Sequence, residues 1–329
     1  MRFVRFLGVS LVLAGLIAGA AYLSLTRPYA GFQGEIFVQI PKGSSTRAIA
    51  RILAEKGAIE YSSEFLLARF VRPSSKLQAG EYRFAAPASA LDVYSRIARG
   101  DVFYYELVAP EGLNIFDLSA VVGRLGLVSA ADFLAAARDP SLIRDLAPEA
   151  PTLEGYLFPD TYRVTRETSA HELCHMMTQR FRAEWNKLHR SEGVQEIVTL
   201  ASLIEKEAAV PEDRPLIASV FRNRLKIGMK LDCDPTTVYA ALLEGRYRGV
   251  IHQSDLASVN RYNTYQHAGL PPGPIANPGD AALQAALHPA DTDFLYFVAR
   301  PDGSGRHQFS KDIEAHRQAA TRYRRGRAK

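Results

Sequence analysis

The sequence is poor in the residues that build disulfide scaffolds and metal sites. It contains two cysteines, Cys174 and Cys233, and one tryptophan. Two cysteines so far apart in sequence could pair in an oxidising compartment, but their spacing decides nothing. Cys174 lies beside His171 and His175 on a predicted helix, yet no second pair of ligands accompanies them, so a structural role is favoured over metal binding. We therefore expect neither a metal nor a cofactor.

An excess of charge of one sign is also missing. The formal net charge is +5, and charged residues make up 23% of a chain that is 47% hydrophobic. These proportions are typical of a globular protein rather than a disordered one. The positive charge concentrates near the N-terminus and in a tail from Arg317 to Lys329. We expect this tail to be solvated and frayed, and we expect no nucleic-acid partner.

Only one long run lacks charged residues altogether, and it stretches over 20 residues from Phe6 to Leu25. That length is enough to span a hydrocarbon core of about 30 Å. Arg2 and Arg5 precede the run, so the positive-inside rule leaves the short N-terminus in the cytoplasm and exports the rest. A cleaved signal peptide is the alternative, but the run is long for one. We predict an uncleaved single-pass anchor over residues 1–27.

An internal repeat follows the anchor. The string Ile40-Pro41-Lys42-Gly43 returns as Ala109-Pro110-Glu111-Gly112, and matching apolar positions continue at the same offset of 69 residues. Each copy reads as a strand, a Pro-x-Gly turn and an amphipathic helix closed by glycine. Two copies are too few for a solenoid, so we predict one compact α+β module over residues 31–145. It contains no paired acids and no phosphate-binding loop, which favours binding or positioning over chemistry.

A second region carries the most informative helix. Apolar residues predict a helix from Gln195 to Ala209, with Leu203 and Ile204 on its buried face. At 100° per residue Glu207 falls within that apolar stripe, whereas Glu205 falls on the opposite side, as a solvated acid. A carboxyl in apolar surroundings has a raised pKa and can serve as a general acid. The alternative is a buried glutamate paired with an arginine or a backbone donor.

Segments rich in aromatic residues, glycine and proline flank this helix at 153–162, 262–265 and 269–279. Aromatic faces beside Asn, Thr and Tyr polar groups suit a sugar, which offers apolar ring faces and many hydroxyls. Core packing is the alternative for any single one of these residues. Helices are predicted at 169–185 and 215–225, and a strand at 294–298.

Several strings in the C-terminal half resemble one known family. They are EGYLFPDTY (154–162), ASLIEKE (201–207), VFRNRL (220–225), GMKL (228–231), DPT (234–236), YNTY (262–265), GLPPGPI (269–275) and HPA (288–290). In this order, they resemble the endolytic murein transglycosylases of the MltG, or YceG-like, family. The match is specific because it extends over about 150 residues of sequence.

The resemblance implies an α+β protein with a transmembrane helix, a LysM-like module and a mixed α+β catalytic domain over residues 150–329. It implies cleavage of the β-1,4 bond between N-acetylmuramic acid and N-acetylglucosamine in nascent peptidoglycan, leaving 1,6-anhydro ends and terminating strands. The implied location is the inner (plasma) membrane, with the catalytic domain in the periplasm. Glycan strands are the implied substrate, and peptidoglycan synthases are candidate partners.

The resemblance also implies site residues. Glu207 corresponds to the catalytic acid, and Cys233 replaces a more usual polar residue before Asp234-Pro235. The residues expected to bind the sugar or to hold Glu207 in place are Glu154, Asn223, Asp234, Thr236, Tyr262, Asn263 and Tyr265. Two other functions stay open: a muramidase-type hydrolase that pairs Glu207 with Glu154 or Asp160, and a non-catalytic glycan-binding scaffold.

Overall fold

The computed structural model describes residues 2–73, 76–189 and 193–327, and the side chains of residues 2–8 and 327 lie outside this description. The contacts divide the chain into two compact units, residues 1–105 and residues 106–329. Both units mix helices with short two-stranded sheets. The predicted α+β class is therefore confirmed.

The first unit is built around one antiparallel strand pair. Its elements are α1 (Arg2–Thr26), β1 (Ile36–Ile40), α2 (Thr46–Glu55), α3 (Ser62–Val71), β2 (Gly80–Phe84) and α4 (Ala90–Arg99). Ile36 of β1 lies opposite Phe84 of β2. Val38, Phe65 and Ile97 are fully buried in its core, and Leu25 at the end of α1 packs into the same cluster.

The second unit begins with the same order of elements. These are β3 (Tyr105–Ala109), α5 (Ile115–Leu125), α6 (Ala130–Ala137), β4 (Asp160–Val164) and α7 (Ala170–Lys187). The repeat is thus longer than the sequence predicts, since each copy is strand, two helices, strand and helix. Tyr82 of β2 donates to the Gln78 carbonyl at 2.8 Å, and Tyr162 of β4 donates to the Phe158 carbonyl at 2.5 Å. The same local hydrogen bond therefore recurs in both copies.

The division between the units differs from the expected module boundary near residue 145. It falls between Tyr105 and Glu106, inside the strand that opens the second copy. The second copy forms its contacts with later elements of the chain, since β3 pairs with β4 and α6 packs against α7. The second copy therefore belongs to the C-terminal unit.

The rest of the second unit is mainly helical. It contains α8 (Val194–Glu207), α9 (Arg214–Lys226), α10 (Asp234–Leu243), α11 (Gln253–Leu256), α12 (Asp280–Leu287), β5 (Tyr296–Ala299), β6 (His307–Ser310) and α13 (Ile313–Arg327). Helix α8 packs against α9, α10 and α12. Strands β5 and β6 form an antiparallel hairpin. The predicted helix at 195–209 and the predicted strand at 294–298 are both confirmed within a few residues.

The C-terminal tail is a correction to the sequence-based prediction. Instead of fraying, it forms α13, which packs against β5 and β6. Ala319 is buried there, and the His316 ring stacks on Tyr296 with 5.2 Å between ring centroids. Arg317, Arg322, Arg324 and Arg325 are exposed on a helix whose inner face is docked.

Two further expectations concern α1 and the cysteines. The segment Val9–Thr26 of α1 is long and apolar enough to cross a membrane, a property that signal sequences share. Cys174 and Cys233 are both free and buried.

Candidate active site

Glu207 is the last residue of α8. The helix stops there because Ala208 turns to an extended conformation and Pro211 follows shortly after. Leu203 and Ile204, one turn earlier, are fully buried in the core that surrounds α8. The Glu207 side chain is half-buried, and its Oε1 accepts a hydrogen bond from the Cys233 thiol at 3.2 Å.

The surroundings raise the pKa of Glu207 to about 7. The main cause is burial, which disfavours the carboxylate, and the negative charge of Asp234 acts in the same direction. The Cys233 hydrogen bond and the positive charge of Arg224 oppose this shift. A carboxyl with a pKa near neutrality can deliver a proton and accept it back, as acid catalysis requires.

The segment that carries Cys233 is fastened on both sides. The Cys233 N–H donates to Thr264 Oγ1 at 3.0 Å, and Thr236 Oγ1 donates to the Cys233 carbonyl at 2.6 Å. Asp232, just before it, has a positive φ of 47°, a conformation that costs a non-glycine residue roughly 1–3 kcal/mol. Arg224 is buried here and holds Asp232 in an ion pair at 3.5 Å. The thiol is thus presented to Glu207 by a fixed backbone.

Glu205 does not have the solvated position that the helical wheel predicts. Its side chain is only 7% exposed, pairs with Arg214 at 3.4 Å and accepts the Gly279 N–H at 3.1 Å. Gly279 caps the N-terminus of α12, and the Glu111 carboxyl packs so closely against it that a Cβ would displace that carboxyl. The prediction is wrong because α8 is covered by neighbouring helices on more than one side. Glu205 stabilises the start of α12.

Asp234 and Tyr265 lie beside Glu207 and near the surface. Tyr265 donates its phenolic proton to Asp234 Oδ1 at 2.6 Å, and Asp234 itself is exposed. Asp234 also lines a groove of about 430 Å³ together with Lys206, the residue before Glu207. We call this cavity the α10 groove, and its polar and aromatic lining is Asn114, Asp117, Lys206, Asp234, Tyr239 and Tyr247.

Four of the expected sugar-binding residues, Asn263, Thr236, Asn223 and Glu154, make hydrogen bonds inside the protein instead. Asn263 has 0% exposure, donates to the carbonyls of Asp255, Leu256 and Ser258, and accepts from Thr237 Oγ1 and the Tyr265 N–H. Its expected contact with substrate is therefore corrected, because both ends of the amide are already engaged.

Thr236 and Asn223 have similar internal roles. Thr236 is fully buried and bonds to the Cys233 loop. The Asn223 amide donates to the carbonyls of Thr292 and Phe294 at 2.8 and 3.0 Å, which ties α9 to the segment before β5. Both residues hold the framework around Glu207 rather than face a ligand.

Glu154 is a buried structural acid. Its side chain accepts from the Ile115 N–H at 2.9 Å, at the start of α5, and from the Asn277 amide at 3.2 Å. Burial raises its pKa to about 8. At 1% exposure it cannot contact a strand, so its expected binding role is corrected. Asp160, the other proposed second acid, is paired with Arg180.

The glycine of the 154–162 segment has a steric role. Gly155 has a φ of +86°, and a Cβ there would lie 2.5 Å from Pro274 and 2.8 Å from Val198. Asn277 Oδ1 accepts the N–H groups of Gly155 and Leu157. This close approach locks the 154–157 segment onto the proline-rich 271–277 loop.

Tyr262 is half-buried and packs against Tyr239, a groove residue, with ring centroids 5.1 Å apart, and Tyr262 itself does not line the α10 groove. The sequence reasoning missed Asp117, Lys206 and Tyr247 as groove residues. In the sequence, Asp117 looks like an ordinary acidic residue in the first turn of a helix, and no pattern of residue spacing connects it with Glu207. The sequence did offer one signal near the site. Cys233 departs from the family pattern, and the structure places its thiol in contact with Glu207.

Comparison with known proteins gives a consistent result. The sequence profile of the YceG-like family matches residues 38–322. A Bacillus subtilis (strain 168) protein named endolytic murein transglycosylase is 34% identical over 94% of this chain and 91% of its own length. A Streptococcus pneumoniae (strain D39) protein of the same name is 29% identical over 88% of this chain, which spans 59% of that longer protein. The crystal structure of a yceG-like protein from Listeria monocytogenes has a TM-score of 0.56 and 34% identity, and the match covers 86% of this chain and 98% of that one.

Proposed function

The chain belongs to the YceG-like family, and on this basis we propose that it is an endolytic murein transglycosylase with Glu207 as its catalytic acid. The substrate is the β-1,4 bond between N-acetylmuramic acid and N-acetylglucosamine within peptidoglycan strands, and the cut terminates a strand. The observation that carries the proposal is the Glu207 carboxyl, placed at the end of α8 with a pKa of about 7.

The proposed reaction needs one carboxyl. Glu207 donates its proton to the glycosidic oxygen as the bond from C1 of the muramic acid to that oxygen breaks, which leaves a hydroxyl on the departing sugar. The C6 hydroxyl of the same muramic acid then attacks C1 and closes the 1,6-anhydro ring. Its proton passes to the Glu207 carboxylate, which restores the acid. No water is consumed, in contrast to hydrolysis, which normally uses two carboxyls.

A raised pKa serves both halves of this cycle. A carboxyl of ordinary pKa is almost fully ionised at pH 7 and has no proton to give. With its raised pKa, Glu207 keeps a proton to give near neutral pH, and the carboxylate it becomes is basic enough to recover the proton. Tyr265 and Asp234 are proposed to orient the sugar beside it.

A hydrolase is the second candidate, and Asp234 is the observation that favours it. Asp234 is an exposed carboxylate close enough to Glu207 to raise its pKa. As the base for an attacking water, it would give reducing ends instead of anhydro ends. The resemblance to named transglycosylases supports the first function.

We also propose that α1 anchors the chain in the plasma membrane and that residues beyond it act outside the cytoplasm. The apolar segment Val9–Thr26 supports this, together with the arginines at positions 2 and 5. The first copy of the repeat is proposed as the LysM-like module, and peptidoglycan synthases are proposed partners.

Cleavage in H₂¹⁸O tests the reaction type directly. A transglycosylase releases products without ¹⁸O, because the new bond to C1 comes from the sugar's own C6 hydroxyl. A hydrolase adds one ¹⁸O atom at each new reducing end, and that result would overturn the proposal.

A further inference from the structure

The α10 groove shares lining residues with the surroundings of Glu207, and apart from Asp234 its lining was not predicted from the sequence. Lys206, directly before Glu207, and Asp234, whose charge acts on Glu207, both line it. A strand whose scissile bond is held at Glu207 must continue into neighbouring space. The α10 groove is a cavity that shares residues with the acid's surroundings, and its volume is about 430 Å³.

The lining of the groove is amphipathic. Val238, Leu242 and Ile275 provide apolar surface, and the exposed Asp117 supplies a carboxylate in addition to Asp234. Lys206 donates to the Gly112 carbonyl at 3.0 Å. Two carboxylates against one ammonium disfavour an anionic ligand. An uncharged pyranose ring fits better, because it has apolar faces and hydroxyls that donate to carboxylates.

We propose that the α10 groove is a saccharide subsite, which binds an N-acetylated amino sugar of the strand next to the bond at Glu207, with Asp117 and Tyr247 as binding residues. Asp117 accepts hydrogen bonds from sugar hydroxyls, and the Tyr247 ring packs on a ring face. This assignment rests on the proposed function and names a part of the site that the sequence did not predict.

The second copy of the repeat holds Asp117 in place. Asn114 Oδ1 accepts the N–H groups of Phe116 and Asp117, each at 2.9 Å, which fixes the first turn of α5. The turn before it is bonded to the active-site framework, since the Gly112 N–H donates to the Asn277 carbonyl at 2.9 Å and Lys206 bonds to Gly112. The backbone at Asp117 is therefore fixed before a ligand arrives, which lowers the entropic cost of binding.

Binding of chitotetraose to the full-length chain in detergent tests this subsite. The probe is a β-1,4 oligomer of N-acetylglucosamine without muramic acid or peptide, and the Glu207→Gln background prevents turnover. Calorimetry compares D117N, Y247A and Y247F with D291N, which alters an exposed aspartate that does not line the groove. We expect D117N and Y247A to raise Kd about tenfold or more, and Y247F and D291N to leave it within about twofold.

Equal affinities for D117N, Y247A and D291N would overturn the subsite, as would failure of the parent background to bind chitotetraose. Competition by a free stem peptide in place of the sugar would assign the groove to peptide and contradict the proposal. Failure of the subsite and failure of the proposed function give different experimental results. If the unmutated chain cuts no strands while D117N still weakens chitotetraose binding, the transglycosylase function fails and the subsite stands.

Discussion

The Cys233 thiol donates a hydrogen bond to Glu207 Oε1 across 3.2 Å, although 26 residues separate the two in sequence. Burial and the nearby glutamate keep the pKa of Cys233 well above its usual value, so the group remains a thiol and a donor. A donor aimed at a carboxyl stabilises its ionised form and lowers its pKa. The thiol therefore limits how far burial raises the pKa of Glu207.

This relationship predicts a shift in the pH profile. Glu207 acts in its protonated form, so kcat/KM should fall about tenfold per pH unit above the pKa of about 7. Cys233→Ala removes the donor, so the pKa of Glu207 rises and the alkaline limb of the profile moves to higher pH. Cys233→Ser keeps a hydroxyl donor and should hold the limb near its original place. If the alkaline limb of the pH profile stays at the same pH in the alanine variant, the thiol does not lower the pKa of Glu207.

Asn263→Ala should destabilise the protein without slowing the folded enzyme. The Asp255 and Leu256 carbonyls keep a second donor, but the Ser258 carbonyl, the Thr237 hydroxyl and the Tyr265 N–H lose the hydrogen bond to Asn263. At roughly 1–3 kcal/mol per group, this costs about 3 kcal/mol or more. Thermal melts and specific activity of the same preparation measure the two effects. Asn186→Ala, at an exposed position of α7, is the control. A large loss of turnover at an unchanged Tm would show instead that Asn263 contacts the substrate.

Glu154→Gln should change the pH dependence of stability and leave turnover per folded molecule intact. Burial raises the pKa of Glu154 in the folded protein to about 8, above its unfolded value of about 4.5. The contribution of Glu154 to the free energy of unfolding is therefore fully present below about pH 4.5 and is lost as the pH rises through about 8. Glutamine cannot ionise and escapes this loss. Between about pH 4.5 and pH 8 the Tm of the parent should fall relative to the Tm of the variant, and above about pH 8 the difference should stay constant.

The exposed Glu149→Gln serves as the control for that comparison. A Tm gap that is constant with pH would mean that Glu154 does not titrate in this range, whereas a loss of turnover would give it the role of a second catalytic acid.

The end of α1 should matter for the stability of the first unit. Leu25 is buried in that core, and Ser24 donates to Glu64 at 2.7 Å. A truncated chain that starts at Leu23 keeps both contacts, whereas one that starts at Pro28 loses them. Burying a leucine is worth about 1.5–3 kcal/mol. Both chains should be soluble and should cut strands, but the shorter one should melt several degrees lower; equal Tm values would contradict the packing of Leu25.

Much of the local structure was predictable because it depends on neighbours in sequence. The apolar spacing of 197–204 placed α8 and selected Glu207, and the Pro-x-Gly strings located the turns at Gly43 and Gly112, which both have positive φ. The family resemblance independently selected the same glutamate.

The remaining features depend on contacts between residues distant in sequence. Glu205 is buried because α12, more than 70 residues later, places the Gly279 N–H against it. Asn277 joins the 154–157 segment to the turn at Gly112 and Leu113. A helical wheel assumes that a helix has one buried face. A loop rich in Asn and Tyr suggests sugar contact for each of these residues, whether or not it is exposed in the fold. Neither can tell a side chain that faces substrate from one that supports its neighbours.

The central claim is that Glu207 alone supplies the proton for a cut that leaves anhydro ends. Mass spectrometry of glycan strands digested by the purified chain, by Glu207→Gln and by Glu205→Gln tests it most directly. The parent should yield 1,6-anhydro-N-acetylmuramic termini. E207Q should reduce their rate of formation by at least about a hundredfold with little change in fold, because only the proton donor is lost. E205Q should melt lower and keep most of its turnover per folded molecule. Reducing termini from the parent, or equal loss of activity in both variants, would contradict the account.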